Sequence, residues 1–274
     1  MKLPSKFLIL TMAVFSNLAF GSGDYVKLGT SILSDLVAIE STAGMGLATE
    51  VSELSKTLLL NHGFDDEDLK VVGPTDSSKG LYAVYKGQSS NKPIVVMAHI
   101  DVVPAVKDSW DTDPFQLVEI DGFLHGRGAS DNKGGAAALL TTFIRLKEER
   151  FVPKNDIIML LTGDEETGMD SIRYFRDNLE SVRRAPFAFN SDGGYITGTM
   201  KNPEAFRLQS AEKVYMTVTM TTSNRGGHSS IPRPDNAIYE LANALKKVEA
   251  HKFPISLNET TRATLEFALN EAQG

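Results

Sequence analysis

Cysteine is absent from the chain. That removes disulfides as a source of stability and thiolates as nucleophiles or ligands, so any bound metal has to be held by histidine and carboxylate. Histidine itself is scarce, at five residues, and tryptophan occurs once. Basic residues are in the minority: 28 Lys and Arg against 35 Asp and Glu leave a net charge of −7. This argues against nucleic acid or an anionic membrane surface as a partner. The sequence has no internal repeat, no low-complexity segment and no apolar run long enough to cross a bilayer comfortably. What remains is 274 residues of ordinary globular composition, 42% hydrophobic, enough for one large domain or one domain and part of another.

The first residues read differently from the rest. Lys2 and Lys6 precede an apolar stretch, residues 7–15, and Ala19-Phe20-Gly21 offers small residues at the spacing of a cleavage site. A basic start, a short apolar centre and a small-residue exit form a secretory signal peptide, here residues 1–21 with cleavage after Gly21. The expectation is a secreted or periplasmic protein without stable membrane insertion; an uncleaved anchor is the alternative.

Downstream, residues 25–39 and an apolar face made by Leu47, Val51, Leu54, Leu58 and Leu59 predict two helices, the second stopped by Gly63. Strands are expected at 69–72, 81–85 and 94–97, and a hairpin at 115–120 and 123–125 around Asp121-Gly122. A helix at 134–149, a strand at 157–161, a helix at 171–179 and a strand at 187–189 follow. This alternation implies an α/β domain over residues 22–205, with a mostly parallel sheet and helices on both faces. From residue 206 to 274 the texture changes. Val214, Met216, Val218 and Met220 alternate with polar residues as in a half-buried strand, and a helix is expected over 234–250. This reads as the start of a second, α+β domain.

The stretch Leu160-Leu161-Thr162-Gly163-Asp164-Glu165-Glu166-Thr167-Gly168 is the strongest functional signal. Three consecutive acids at the end of a buried strand are costly unless they meet a cation or water. A solvated acidic loop is the plain alternative. Three other segments repeat the pattern, however. His99 and Asp101 follow the run 94–98, Asp131 lies in a glycine-rich stretch before a helix, and Asp192 follows 187–191. In parallel sheets such positions converge at the carboxyl ends of strands. Several carboxylates sharing a crevice need a compensating charge, which divalent cations supply. One imidazole with carboxylates suits Zn²⁺ or another hard-to-borderline divalent ion, and a suitably fixed carboxylate can bridge two such ions.

Five segments in order resemble the M20 metallopeptidase family of co-catalytic zinc carboxypeptidases, dipeptidases and N-acyl-amino-acid deacylases. They are His99-Ile100-Asp101-Val102-Val103-Pro104, residues 126–135 around Asp131, Asp164-Glu165-Glu166, Ser191-Asp192-Gly193-Gly194 and Gly227-His228-Ser229-Ser230. The resemblance implies a zinc-exopeptidase-like fold with a lid and dimerisation domain. It implies His99 and Asp192 as ligands of a first zinc, Asp131 as the bridge and Glu166 as a ligand of the second. Asp101 would fix the His99 ring, and Glu165 would be the general base. The bond Asp131–Asn132 is expected to be cis, as in the family. From spacing alone His228 reads as a surface-loop residue. By resemblance it is the lid histidine that reaches the neighbouring protomer of a homodimer and steadies the oxyanion. His62 and His251 read as surface residues, His125 as structural, and Lys133 as balancing charge.

The pattern is also broken. No histidine follows His251, so the family's remaining ligand of the second metal is missing, and the segment returning from the lid is not seen. The expectation is a truncated member with weak or no turnover unless that part is supplied elsewhere. The reading is a di-zinc hydrolase acting on a peptide or N-acyl-amino-acid substrate, a carboxypeptidase first. A deacylase of the same family and a non-catalytic, metal-binding or dimerising remnant are the alternatives.

Overall fold

The computed structural model describes residues 23–198, 202–228 and 230–273, so the signal peptide expected at 1–21 lies outside them. By internal contacts the chain divides into two units, Met1–Arg207 and Leu208–Gly274. Among the described residues no helix is long and apolar enough to cross a membrane.

The first unit opens with helices α1 (Gly23–Val37) and α2 (Ala48–Asn61). Strands β1 (Leu69–Val72), β2 (Gly80–Tyr85) and β3 (Ile94–His99) follow, and then the hairpin β4 (Val118–Ile120) and β5 (Phe123–His125). Next come α3 (Lys133–Glu148), β6 (Ile157–Thr162), α4 (Asp170–Asn178), α5 (Glu180–Arg183) and β7 (Ala188–Asn190). A short antiparallel pair, β8 (Tyr195–Gly198) and β9 (Pro203–Arg207), closes the unit.

The central sheet has the order β1-β2-β6-β3-β7. It is mixed rather than mostly parallel. β1 and β2, and β2 and β6, run antiparallel, whereas β6, β3 and β7 run parallel. The strands expected for this sheet are in place, but the antiparallel directions of β1 against β2 and of β2 against β6 were hidden in the sequence, and the pair β8–β9 was not anticipated. A strand buried on both faces reads as an apolar run whichever way it points.

Side-chain alternation divides the sheet into two buried layers. Leu81, Ala83, Tyr85, Ala98, Met159 and Leu161 face α1, α2 and α3, meeting Leu36, Val51, Leu59, Leu140 and Phe143. Tyr82, Val95, Ile158 and Leu160 point the other way, against Phe175 and the partly buried Ile172 and Val182 of α4 and α5. Helices therefore cover both faces, as the apolar strands require. Phe64, Tyr85 and Phe143 pack together with centroids 5.9–6.2 Å apart, Phe64 stacked on Phe143 and Tyr85 edge-on to both. Such pairs contribute roughly 0.5–1.5 kcal/mol each beyond the area they bury.

The second unit consists, among its described residues, of α6 (Ala237–Ala250) and α7 (Glu259–Gln273) with irregular segments. The strand expected at 214–220 is not formed: Val214 is 94% exposed and Met216 76%. The alternation is present, but no strand lies alongside among the described residues, and without a ladder and a face to bury it does not become sheet.

Candidate metal centre

The register of the parallel strands builds the site. His99 ends β3 opposite Thr162, the last residue of β6. On the other side Met97 of β3 is level with Asn190, the last residue of β7. Three adjacent strands thus finish on one edge, where the residues just beyond them meet. His99, Asp131 and Asp192 each offer a ligand atom within 4.8 Å of the others, and so do His99, Glu165 and Glu166. His99 is common to both groups, so four candidate carboxylates surround one imidazole. Glu165, expected as a base rather than a ligand, stands within reach of the same centre.

His99 is almost wholly buried. Its Nδ1 donates to the carbonyl oxygen of Asp101 at 2.9 Å, and its Nε2 lies 2.7 Å from Asp131 Oδ1 and 3.7 Å from Asp192 Oδ2. With an oxygen acceptor at each nitrogen the ring is held as imidazolium. Burial alone would push the group down, but Asp101, Asp131 and Asp192 outweigh it and raise the pKa to about 9.

Asp101 differs from expectation in one respect. Its backbone oxygen, rather than its carboxylate, bonds the ring, the carboxylate standing 3.5 Å away. The carboxylate instead accepts the backbone N–H groups of Glu165 and Glu166, both at 3.0 Å. Asp101 therefore orients the acidic turn as well as the imidazole. Burial raises the pKa of both glutamates. His99 counteracts this in each, while Asp192 is the largest anionic contribution at Glu165 and Asp131 at Glu166.

Asp164 leaves the group of acids. It is buried, and its carboxylate accepts the N–H groups of Asp170 at 2.8 Å and Ser171 at 3.0 Å, together with the Ser171 hydroxyl. It ties down the start of α4 instead of facing the site. Asn132 and Ser191 were not singled out from the sequence, yet they join the two carboxylate turns, with Ser191 Oγ donating to Asn132 Oδ1 at 3.2 Å. The only hint was their position beside Asp131 and Asp192. The bond Asp131–Asn132 is cis, as expected. A cavity of about 370 Å³, lined by residues such as Ser41, Thr42, Ser77, Ser78 and Gly163, borders the acidic turn.

The remaining histidines and Lys133 are quickly placed. His125 and His251 are exposed, and His62 stands 3.5 Å from Glu148 at the end of α2. His228, in the second unit, is exposed, with Nδ1 2.8 Å from Ser230 Oγ. Lys133 is completely buried rather than a charge facing the acids, and burial lowers its pKa to about 7.

The donor set fits a divalent ion. It consists of an imidazole nitrogen and carboxylate oxygens without thiolate, gathered at a partly buried rim.

Fold and site together define an α/β protein with a carboxylate–imidazole centre at the carboxyl edge of its parallel strands. The model of the peptidase family M20/M25/M40 matches residues 95–271, well over half of the chain, and the chain belongs to that family. It is 32% identical over 190 residues to the human N-fatty-acyl-amino acid synthase/hydrolase PM20D1, covering 68% of this chain and 38% of that one. It is 30% identical over 234 residues to a Staphylococcus aureus protein described as "Probable succinyl-diaminopimelate desuccinylase", covering 84% and 52%. The chain thus spans between about two fifths and one half of these relatives. Among solved structures, human carnosine dipeptidase 1 superposes with a TM-score of 0.53 at 22% identity, over 61% of this chain and 39% of that one. The di-peptidase Dug1p from Saccharomyces cerevisiae gives 0.54 at 21%, over 64% and 40%. At these identities the shared property is the fold.

Proposed function

We propose that this chain provides the centre of a zinc-dependent hydrolase that cleaves the amide bond next to an amino acid with a free carboxylate, acting as a carboxypeptidase. The observation that supports it is the convergence of Asp131, Asp192, Glu165 and Glu166 on His99. His99, Asp131 and Asp192 would hold one ion, and Asp131 with Glu166 would offer ligands to a second. Bound there, the metal would polarise the scissile carbonyl and lower the pKa of the attacking water.

The chain's own part is proton transfer and orientation. Glu165, its carboxyl raised by burial and held by the Asp101 clamp on its backbone, takes the water's proton and passes it to the leaving nitrogen. The raised pKa makes the carboxylate a stronger base for the first half of the task. Asp101 keeps the base in register with the imidazole.

The relatives support a second reading within the same chemistry. The human and Staphylococcus aureus relatives act, by their descriptions, on acylated amino acids, which favours an N-acyl-amino-acid deacylase. Secretion and the homodimer are further parts of the proposal. They rest on the pattern of residues 1–21 and on the Gly227-His228-Ser229-Ser230 match respectively.

The test uses the full chain with zinc, offered blocked dipeptides and N-acyl amino acids in parallel. Bound zinc with turnover of either class, even the weak turnover expected of a chain short of one ligand for the second ion, supports the proposal, and the preferred class separates the two readings. One ion or none without turnover would instead indicate a metal-binding or dimerising remnant. Glu165→Gln should lower turnover by roughly 10²–10⁴-fold with zinc still bound. Unchanged turnover would remove Glu165 from the role.

A further inference from the structure

Lys133 is fully buried one residue beyond Asn132, yet among the described residues its ammonium is bonded to backbone oxygens rather than to a carboxylate. It donates to the carbonyl oxygens of Leu36 at 2.8 Å and Ile39 at 2.6 Å, at the C-terminal end of α1. A cation there faces the negative end of the helix dipole. The stem is enclosed as well. A Cβ on Gly128, which has φ +87°, would lie 3.0 Å from Lys133 Cδ and 2.9 Å from Val102 Cγ1. The close approach of Gly128 therefore packs the lysine between the glycine-rich turn and Val102.

The segment gripped by this ammonium runs straight to the other half of the site. Ser41 Oγ donates to the Ile100 carbonyl at 2.6 Å, Val102 N–H to Ser41 at 3.0 Å, and Ala43 N–H to Val102 at 3.1 Å. Residues 41–43 thus brace both neighbours of Asp101, whose carboxylate holds Glu165 and Glu166. A continuous set of contacts links Asp131, through Lys133 and the end of α1, to Asp101 and the acidic turn.

We propose that Lys133 is a positioning residue: by tying the turn of Asp131 to the segment that braces Asp101, it sets the spacing of the metal ligands without touching the metal. This rests on the metal-site reading above. The Leu36 and Ile39 carbonyls each retain a backbone donor, Ile39 N–H and Ser41 N–H, if the ammonium is removed. Replacing a buried cation by an apolar side chain of similar length is therefore expected to leave the fold intact or firmer.

The experiment compares wild type, Lys133→Met and Lys133→Arg as full chains, with Co²⁺ as the probe. Binding is followed by titration and by the visible absorption of the ion, stability by thermal unfolding without metal, and backbone opening by hydrogen exchange. Lys133→Met should keep the unfolding midpoint, bind Co²⁺ roughly 10–100-fold more weakly, and exchange faster at residues 39–43 and 100–102. Lys133→Arg, which retains the cation, should recover part of the affinity. Wild-type affinity in Lys133→Met would overturn the proposal, as would a loss accompanied by a matching fall in stability. If Lys133→Met does not fold, wild type decides: Co²⁺ should slow exchange at residues 36–43, which hold no ligand, and no slowing would overturn the proposal. If wild type binds no Co²⁺, the metal reading fails on its own account. Exchange in metal-free Lys133→Met then decides the tie, faster exchange at 39–43 and 100–102 supporting it and unchanged exchange ending it.

Discussion

His99 shows how much one side chain is asked to reconcile. Its imidazole is buried, which disfavours charge, yet it sits among carboxylates that hold it protonated, with a pKa raised from 6.5 to about 9. Because the folded value is the higher one, the charged ring stabilises the metal-free protein fully below about pH 6.5, and that contribution is lost as pH rises through about 9. A metal ion requires the lone pair of Nε2, so it competes with this proton. We predict that affinity for Zn²⁺ or Co²⁺ rises about tenfold per pH unit between roughly pH 7 and 9, with one proton released per ion. Calorimetry in buffers of different ionisation enthalpy measures both quantities, and affinity independent of pH would show that His99 is not a ligand. Asp164, by contrast, is a residue of structure. Asp164→Ala leaves the N–H groups of Asp170 and Ser171 without their acceptor and should lower unfolding free energy by about 1–3 kcal/mol in denaturant titrations.

At the scale of elements, the start of α3 is where the two carboxylate turns are joined. Gly135 faces the Asn132–Ser191 contact so closely that an added Cβ would lie 2.1 Å from Asn132 Oδ1 and 2.2 Å from Ser191 Oγ. On an exposed helix, replacing glycine by alanine adds up to about 1 kcal/mol of stability. Here the sign reverses. Gly135→Ala must displace Asn132 or Ser191, and with them the approach of Asp131 to Asp192. The expected outcome is a loss of Co²⁺ affinity of at least roughly tenfold, in the range seen when supporting partners of ligands are disturbed. A variant that binds Co²⁺ as wild type does would show that the junction is slack.

For the whole molecule, the two buried clusters both lie within Met1–Arg207. No residue of α6 is buried. The stability of the first unit should therefore be its own. A chain ending at Arg207 is expected to unfold within a few degrees of the full-length midpoint by circular dichroism. A large drop would mean that the second unit contributes burial the first one lacks.

Most elements of this unit were legible in the sequence because each rests on local chemistry; α5 and the short pair β8–β9 were not. Apolar runs of strand length such as 157–161, small residues along the start of α3, and the Asp121-Gly122 turn act over a few neighbours. The candidate ligands were legible too, since acids directly after buried strands are costly to hold there unless a cation or water meets them. The sequence alone could not show which acid of Asp164-Glu165-Glu166 turns away, because that depends on whether the start of α4 comes within bonding distance of its carboxylate. Nor could it separate the Asp101 carbonyl from the Asp101 carboxylate as the partner of His99, or set the direction of β2 against β6. Lys133 marks the limit most clearly: by composition it is one more cation near acids, and only the packing of Gly128 and Val102 aims it at the end of α1. Sequence determined which residues could form strands, helices and ligands, because those preferences are short-ranged. The tertiary structure decided which hydrogen-bonding and charged groups meet, because that is fixed by distances between segments far apart in the chain.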